Sequence, residues 1–309
     1  MTRSLLCILS FFSLQSFAQT VLGDPKAIIY SMDIEPESKS LIAISDKVRV
    51  ELWNYESQSL LKSWQLDSRG NGVAIANSTV VVAKHNGVVD IYDASTFEKK
   101  ESQKLTEGIP LYDVKRNSRN TFIIVDVKGN IYKSDSSKTQ LVFSKLCSTP
   151  EPIINFDFIN SQDAIITFHA NGKIMLWSLT GKLLKQEQVA RQGILALDSH
   201  VDEPKIYVSY KNGMVRLYSI ALSNFYNEII SFRASKWPVS LDTKNDVIAI
   251  GTTTGKIEIS TKVGIYKTKL QSIANVIQIL PDQLPKIILA IGTHGNGIRI
   301  ISATNMKFN

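Results

Sequence analysis

Carboxylates recur in this sequence at nearly regular intervals, and they are the residues best suited to do chemistry here. Each follows a bulky side chain inside a short β-prone run: Asp33, Asp113, Asp157, Asp198 and Asp242. Two hypotheses fit this pattern. The carboxylates form a partial ring that holds a cation or a basic peptide segment, or each accepts backbone N–H bonds in the turn that leaves its strand. Repetition at equivalent places favours the second hypothesis, although two repeats lack the acid and have Ala76 and Gln278 nearby.

Three of the four histidines stand just before tight turns, so they are candidate metal ligands or partner contacts: His85, His169 and His294. Their repeats are not adjacent, and packed sheets lie about 10 Å apart, whereas a zinc ligand lies about 2 Å from its ion. We therefore expect no metal site, and instead exposed histidines on one face that meets a partner. Trp237 either anchors the same partner or packs between repeats.

Signatures of enzymatic chemistry are missing from the chain. It contains no G-x-S-x-G elbow, no phosphate-binding loop, no H-E-x-x-H and no C-x-x-C. Cys147 has no neighbouring base other than Lys145 to activate it, so we expect a buried apolar role for this thiol. The sequence therefore predicts no catalytic residue, no metal ligand and no cofactor. A hydrolase or a lyase with an unidentified site is the enzymatic alternative.

The N-terminus has the features of an export signal. Arg3 precedes the uncharged stretch Ser4–Phe17, and Ser16 and Ala18 place small residues at the −3 and −1 positions of a cut before Gln19. The apolar stretch is shorter than the roughly 20 residues that span a bilayer, so cleavage is favoured over a retained membrane helix. We expect residues 1–18 to be a signal peptide, residues 19–309 to be the mature domain, and the location to be periplasmic or secreted.

Turn signals recur about every 42 residues through the remaining chain, and they predict the fold. Six of them, spaced 42, 43, 41, 42 and 42 residues apart, are Asn86-Gly87, Lys128-Gly129, Asn171-Gly172, Asn212-Gly213, Thr254-Gly255 and Asn296-Gly297. Asn-Gly favours two-residue hairpins, and the flanking segments alternate apolar and polar residues as strands do. A seventh hairpin, Leu41–Tyr55, lacks the glycine. One earlier strand and one later, more polar strand per repeat predict a single all-β domain, a seven-bladed β-propeller of four-stranded antiparallel blades.

The two ends of the chain predict how this ring closes. The seventh repeat ends after its third strand, and Met306, Lys307 and Phe308 are too few for a confident fourth. Residues 20–22 are available to pair as the missing strand, which would remove an open sheet edge.

The third strands of four repeats end in an aromatic residue and a small polar or acidic one: Leu52-Trp53-Asn54, Ile91-Tyr92-Asp93, Leu176-Trp177-Ser178 and Leu217-Tyr218-Ser219. These pairs occupy the place of a Trp-Asp pair, and over residues 20–309 the chain resembles the WD40-like propellers. Only Tyr92-Asp93 keeps the acid, and Ser134, Ser260 and Ile301 replace the aromatic residue in the other repeats. The Gly-His pair that opens the family's repeat is missing, so its internal hydrogen-bond network is not expected.

The size, the export signal and the Lys/Ile/Asn-rich repeats are also similar to the small accessory propellers of periplasmic nitrate reductase systems, of the NapL type. That resemblance implies a role in the maturation or electron transfer of a periplasmic respiratory enzyme. The net charge of +7 is spread along the chain, and short clusters such as Lys115-Arg116 are assigned to turns and outer strands.

A protein partner is therefore favoured over nucleic acid, and we expect a monomer with no membrane span. The leading functional hypothesis is a non-catalytic protein-interaction scaffold. The alternative is a propeller that binds a small ligand or a cation in its central channel.

Overall fold

The fold is an array of four-stranded antiparallel sheets, seven in number within the part of the chain that the structure describes. The structure is a computed structural model, and it describes residues 18–135, 140–188, 193–199, 203–235, 237–244, 246–262, 264–281 and 287–303. Each sheet is one blade, and its strands follow one another from an inner strand to an outer strand. The prediction of a single all-β, seven-bladed propeller is confirmed.

The first strand, β1 (Ala18–Leu22), belongs to the last blade. Blade 1 contains β2 (Ile29–Glu35), β3 (Ser40–Ser45), β4 (Arg49–Asn54) and β5 (Ser59–Gln65). Blade 2 contains β6 (Gly70–Ala76), β7 (Thr79–Lys84), β8 (Val88–Asp93) and β9 (Lys99–Lys104). Blade 3 contains β10 (Leu111–Arg116), β11 (Phe122–Asp126), β12 (Asn130–Asp135) and β13 (Val142–Ser148). Blade 4 contains β14 (Ile153–Ile159), β15 (Ala164–His169), β16 (Lys173–Ser178) and β17 (Leu183–Gln188), with a 3-10 turn at Asn160–Gln162.

Blade 5 contains β18 (Ile194–Ser199), β19 (Lys205–Tyr210), β20 (Met214–Ser219) and β21 (Asn227–Arg233). Blade 6 contains β22 (Pro238–Lys244), β23 (Val247–Thr252), β24 (Lys256–Thr261) and β25 (Gly264–Lys269). Blade 7 contains β26 (Ala274–Ile279), β27 (Ile287–Thr293) and β28 (Ile298–Ala303), and β1 is its fourth strand. No helix in these described ranges is long and apolar enough to cross a membrane.

Burial within a blade follows strand order, and the sequence explains why. The second strands are rich in Val, Ile and Ala, and β3 is buried at every position because neighbouring blades cover both of its faces. Residues of adjacent blades share a hydrophobic cluster, for example Ala74 and Val81 with Leu111 and Ile124. The outer strands are polar, as in β9 with the sequence KKESQK, because they face solvent.

The inner strands share an irregularity that positions the side chains around the central channel. Each carries a β-bulge one residue after its start, which leaves one residue out of the pairing ladder. A bulge aims its extra side chain away from the regular pleat. Inner strands also approach one another closely, because a Cβ on Gly72 of blade 2 would lie 2.6 Å from the backbone nitrogen of Val114 in blade 3.

The ring closes through the N-terminal strand. Strand β1 pairs antiparallel with β28, from Ala18 opposite Ser302 to Leu22 opposite Ile298. The predicted pairing of residues 20–22 with the last blade is therefore confirmed. Residues 1–17 of the predicted signal peptide, and Met306, Lys307 and Phe308, lie outside the described residues.

The disc has an upper face and a lower face. The upper face is the end where the inner strands begin, and it carries the entry loop of each blade and the turns between second and third strands. The lower face carries the turns between first and second strands and between third and fourth strands.

Candidate functional site: the central channel and its upper mouth

A channel of about 870 Å³ runs between the inner strands and is lined by residues of all seven blades. In every inner strand, the third residue after the unpaired bulge residue occupies an equivalent position. We call these seven residues the channel ring: Asp33, Ala74, Lys115, Asp157, Asp198, Asp242 and Gln278. The ring gathers four of the five aspartates that the sequence singled out.

Each ring aspartate holds the next blade in place. Oδ2 of Asp33 accepts the backbone N–H of Ile75 at 2.9 Å. The same contact recurs between Asp157 and Ser199 at 2.9 Å, between Asp198 and Thr243 at 2.8 Å, and between Asp242 and Ile279. Asp33 and Asp157 also accept the N–H of the next residue in their own strand. The turn-capping hypothesis is therefore wrong in its target, because these backbone groups lie within an inner strand or in the following blade.

Two of these aspartates have basic partners. Arg116 of blade 3 reaches past Ala74, and its Nε lies 3.2 Å from Oδ2 of Asp33 while Nη2 donates to the carbonyl of Ile34 at 2.7 Å. Lys115 places Nζ 3.5 Å from Oδ1 of Asp157. Burial works against its charge, but the nearby carboxylates prevail and raise the pKa of Lys115, Asp157 more than the others.

The other two ring aspartates lie beside one another without such a partner among the described ion pairs. Burial and the neighbouring carboxylate of Asp242 raise the pKa of Asp198 well above its usual value. Burial raises the pKa of Asp242 to about 7. Removing a carboxylate from water beside another carboxylate favours the protonated form, so this side of the channel holds protons at a pH where ordinary aspartates do not.

Asp113 is not in the ring, and the structure corrects its assignment. It stands two residues earlier, next to the bulge, where it accepts the N–H of Val114 at 2.8 Å. Burial raises its pKa to about 6. Lys115 takes the ring position of blade 3, so the placement of Lys115-Arg116 on a turn or outer strand was wrong. In blade 2 the ring residue is Ala74 rather than Ala76. The spacing of 82 residues from Asp33 to Lys115, close to two periods, is the sequence signal that identifies this position.

The bulge residues form a second set around the upper mouth of the channel, which sequence reasoning missed. In four consecutive blades this residue is apolar or aromatic, and we call the set the mouth arc: Tyr112, Ile154, Leu195 and Val239. Tyr112 is 39% exposed and Ile154 is 37% exposed, and the Tyr112 hydroxyl donates to the carbonyl of Ile154 at 2.8 Å. Val127, 41% exposed, lies in the adjoining turn of blade 3 and also lines the channel.

The histidines divide between the surface and the interior. His85 and His294 are exposed on the upper face, as expected for partner contacts. His169 is buried, which corrects its assignment to a partner face. Because Ala170 separates it from the Asn-Gly turn, it occupies the last position of β15, which packs between blades. There it joins a hydrogen-bonded chain: Trp177 Nε1 donates to Thr167 Oγ1 at 3.0 Å, and Thr167 Oγ1 lies 2.9 Å from His169 Nε2.

Trp237 lies on the upper face, 46% exposed, where the chain enters blade 6. Its φ of 60° is a left-handed backbone conformation that is unfavourable for a bulky residue and occurs often at binding sites. Lys211 Nζ lies 5.6 Å from the centre of the indole ring. The tryptophan is therefore a surface residue, and the alternative that it packs between blades is wrong.

The described ranges offer neither a cluster of metal ligands nor an activated thiol. No three His, Cys, Asp or Glu side chains there are grouped so that they could hold a metal ion. Cys147 is partly buried on the outer strand β13, and burial raises its pKa to about 11, which disfavours the reactive thiolate.

Comparison with known proteins supports the fold and no more. No protein-family profile matches the chain, and no curated protein matches it either. Among solved structures, the β-propeller domain of Cps50 (Swd1) from Myceliophteria thermophila is 12% identical, with a TM-score of 0.75 over 93% of this chain and 100% of that one. The computationally designed Ika8 protein is 13% identical, with a TM-score of 0.64 over 91% of this chain and 98% of that one. At such low identity the shared feature is the architecture: this chain has the fold of a seven-bladed, WD-repeat-like β-propeller.

Proposed function

We propose that this chain is a non-catalytic protein-interaction scaffold that docks its partner on the upper face. The mouth arc carries this proposal, because it places apolar side chains at the unpaired bulge position of four consecutive blades. The blade itself does not require them there, since the same position is Asn71 in blade 2 and Asn275 in blade 7. Contiguous exposed apolar side chains rimmed by polar residues are typical of protein-binding surfaces.

The rigidity of the surrounding structure supports the same function. The arc stands on strands that are hydrogen-bonded within each blade and latched between blades by the ring aspartates. Side chains held in this way lose little further freedom on binding, so a partner meets a preorganised surface. Trp237 adds an exposed aromatic side chain at the same face.

The proposal is tested by site-specific photocrosslinking on matched positions. A benzoylphenylalanine at Val127 on the upper face is compared with one at Leu222 on the lower face, which is 47% exposed against 41% for Val127. We expect a defined crosslinked partner from position 127 alone in the native compartment, and at least a fivefold loss of the complex on Ile154→Ser. Equal yields from both positions would contradict an upper-face docking site.

The location and the identity of the partner form the finer part of this proposal. Export rests on the leader-like residues 1–18, and a periplasmic respiratory enzyme such as nitrate reductase rests on the sequence resemblance alone. N-terminal sequencing of the mature protein should begin at Gln19. Crosslinks from position 127 should contain subunits of a redox enzyme, and a partner without redox function would remove that assignment.

A second candidate function is the binding of a small organic cation in the channel. It is favoured by one observation, the adjacent carboxylates of Asp198 and Asp242, whose pKa values are raised by burial and, for Asp198, by the carboxylate beside it. A bound ammonium group would replace the protons that this pair otherwise retains. Thermal shift with putrescine at pH 8 tests this, with Asp242→Asn as the variant expected to lose the shift.

A further inference from the structure

The turns of the upper face carry cations that no acid of the described structure neutralises. Five basic side chains lie there in entry loops or turns between second and third strands, and none makes an ion pair with a described acid: Lys26, Lys47, Arg69, Lys128 and Lys211. Three of the five described acids in the same turns are paired, as Glu107 is with Lys104, whereas Asp24 and Glu151 make no described ion pair. A surplus of positive charge therefore remains on this face.

The lower face is arranged differently. In its described turns the basic side chains other than Lys182 are joined to acids across neighbouring turns: Lys39–Glu56 at 2.5 Å, Arg119–Asp163 at 2.7 Å and Lys262–Asp246 at 2.8 Å. Exposed pairs of this kind add little stability, but they cancel the local field. The two faces are thus alike in backbone and unlike in the charge that they present to a partner.

The uncompensated cations lie beside the apolar mouth arc. Arg69 and His85 line the channel mouth together with Tyr112 and Val127. On one side of the mouth Lys47 Nζ lies 4.8 Å above the ring of Tyr30, and on the other Lys211 lies over the ring of Trp237. A segment that crosses the mouth would meet a basic side chain on both flanks and an apolar surface between them.

From this arrangement we infer that the partner presents an acidic peptide segment, with apolar side chains for the mouth arc and carboxylates for the basic turns. This inference rests on the proposed upper-face docking and names the chemistry of its partner. Complementary charge accelerates association and selects against basic partners, while buried apolar contacts supply most of the affinity.

The carboxylates deeper in the channel do little to cancel this attraction. Asp33 and Asp157 are paired with Arg116 and Lys115. The raised pKa values of Asp198 and Asp242 keep part of that pair protonated near neutral pH. The field at the mouth is therefore set by the unpaired cations of the turns.

A protein segment fits the mouth better than a lipid surface does. Tyr112 and Val127 line the wall of the channel, so part of the apolar surface is concave. A flat anionic bilayer reaches the turn cations but not these walls, whereas an extended chain reaches both. Membrane binding is kept as an outcome of the test.

The test selects a display library of random 12-residue peptides on the mature propeller. A triple variant, Lys47→Glu with Arg69→Glu and Lys128→Glu, is compared with a matched triple, Lys145→Glu with Lys182→Glu and Lys185→Glu. The matched set changes the net charge equally, and its side chains are exposed on outer strands or a lower turn. Circular dichroism first establishes that both variants fold.

We expect enriched peptides that combine Asp or Glu with aromatic or aliphatic residues. Their binding should fall at least tenfold on the upper triple variant and less than twofold on the matched one. No enrichment, enrichment of basic or neutral peptides, or equal loss on both variants would overturn the inference, as would upper-face-dependent sedimentation with phosphatidylglycerol vesicles in place of peptide binding. If photocrosslinking at Val127 still captures a partner in those cases, upper-face docking stands and only the acidic chemistry fails.

Discussion

The four aspartates of the channel ring form two pairs. Both pairs accept a backbone N–H from the next blade, but they differ in the groups that balance the carboxylate charge. In blades 1 and 4 the aspartate accepts a backbone N–H from the next blade and also faces Arg116 or Lys115. In blades 5 and 6 the same contact is made by Asp198 and Asp242, which face each other. The repeat therefore specifies the hydrogen bond, while the two basic residues of blade 3 decide which aspartates have their charge balanced.

We expect the largest loss of stability from substitution of Lys115, the basic residue nearest to Asp157. Lys115→Met leaves Asp157, Asp113 and Asp198 without their shared cation, and breaking a mostly buried pair should lower the free energy of unfolding by about 2–3 kcal/mol at pH 8. The loss should shrink at pH 5, because protonation relieves the unpaired carboxylates. Urea denaturation at both pH values measures this, with Lys182→Met as the exposed control.

Asp157→Asn is the reciprocal change on the same side. It removes the nearest carboxylate from Lys115 and replaces one of two accepting oxygens with a donor that faces an N–H. We expect a loss of about 2 kcal/mol at pH 8. A variant as stable as the wild type in thermal unfolding would show that the latch and its ion pair are dispensable.

Asp242→Asn should have an effect of opposite pH dependence on the other side. The folded pKa of about 7 lies above the unfolded value of 3.8, so the native state binds the extra proton between these values. The stabilisation that comes from this extra proton is fully present below about pH 4 and is lost as the pH rises through 7.

From pH 6 to pH 8, stability should therefore shift in favour of Asp242→Asn relative to the wild type by about 1–2 kcal/mol. Paired melts at several pH values provide the measurement. A constant difference between the two proteins would mean that the carboxyl is ionised throughout.

The smallest effect is expected at Thr243, whose Oγ1 donates to Oδ2 of Asp198 at 2.6 Å. Thr243→Val keeps the shape and removes this donor, so the loss should be about 1 kcal/mol at pH 8. Thr243→Ser retains the hydroxyl and serves as the control. If Thr243→Ser loses stability and Thr243→Val does not, the methyl packing rather than the hydrogen bond is responsible.

The sequence predicts the fold well because the fold depends on features that repeat. Turns such as Asn86-Gly87 recur once per blade, where Gly87 adopts a φ of 83°, and the alternation beside them identifies the hairpins. Ring closure by residues 20–22 was predictable because one strand was missing from the last repeat.

The site was less predictable because it depends on single-residue registers. Asp113 and Lys115 lie two apart on one strand, so alternation assigns them the same side and cannot say which belongs to the ring. His169 occupies the last strand position, as Lys84 does in blade 2, and Ala170 occupies the position of His85, so one residue of register decides whether the histidine is buried or exposed. The mouth arc was not predicted from the sequence, because a bulge residue interrupts the alternation of apolar and polar residues by which strands are recognised.

Strand β1 has a consequence for how the molecule is made. Its partner β28 lies 276 residues away, from Leu22 to Ile298, so β1 pairs only after the strand furthest from it in the described sequence has been made. Closing so long a loop carries an entropic cost that grows only slowly with its length. Until then blade 7 has an unpaired edge, and cleavage after Ala18 would leave the new chain end inside the closing strand. The last blade therefore has all four of its strands only once β1 and β28 have paired.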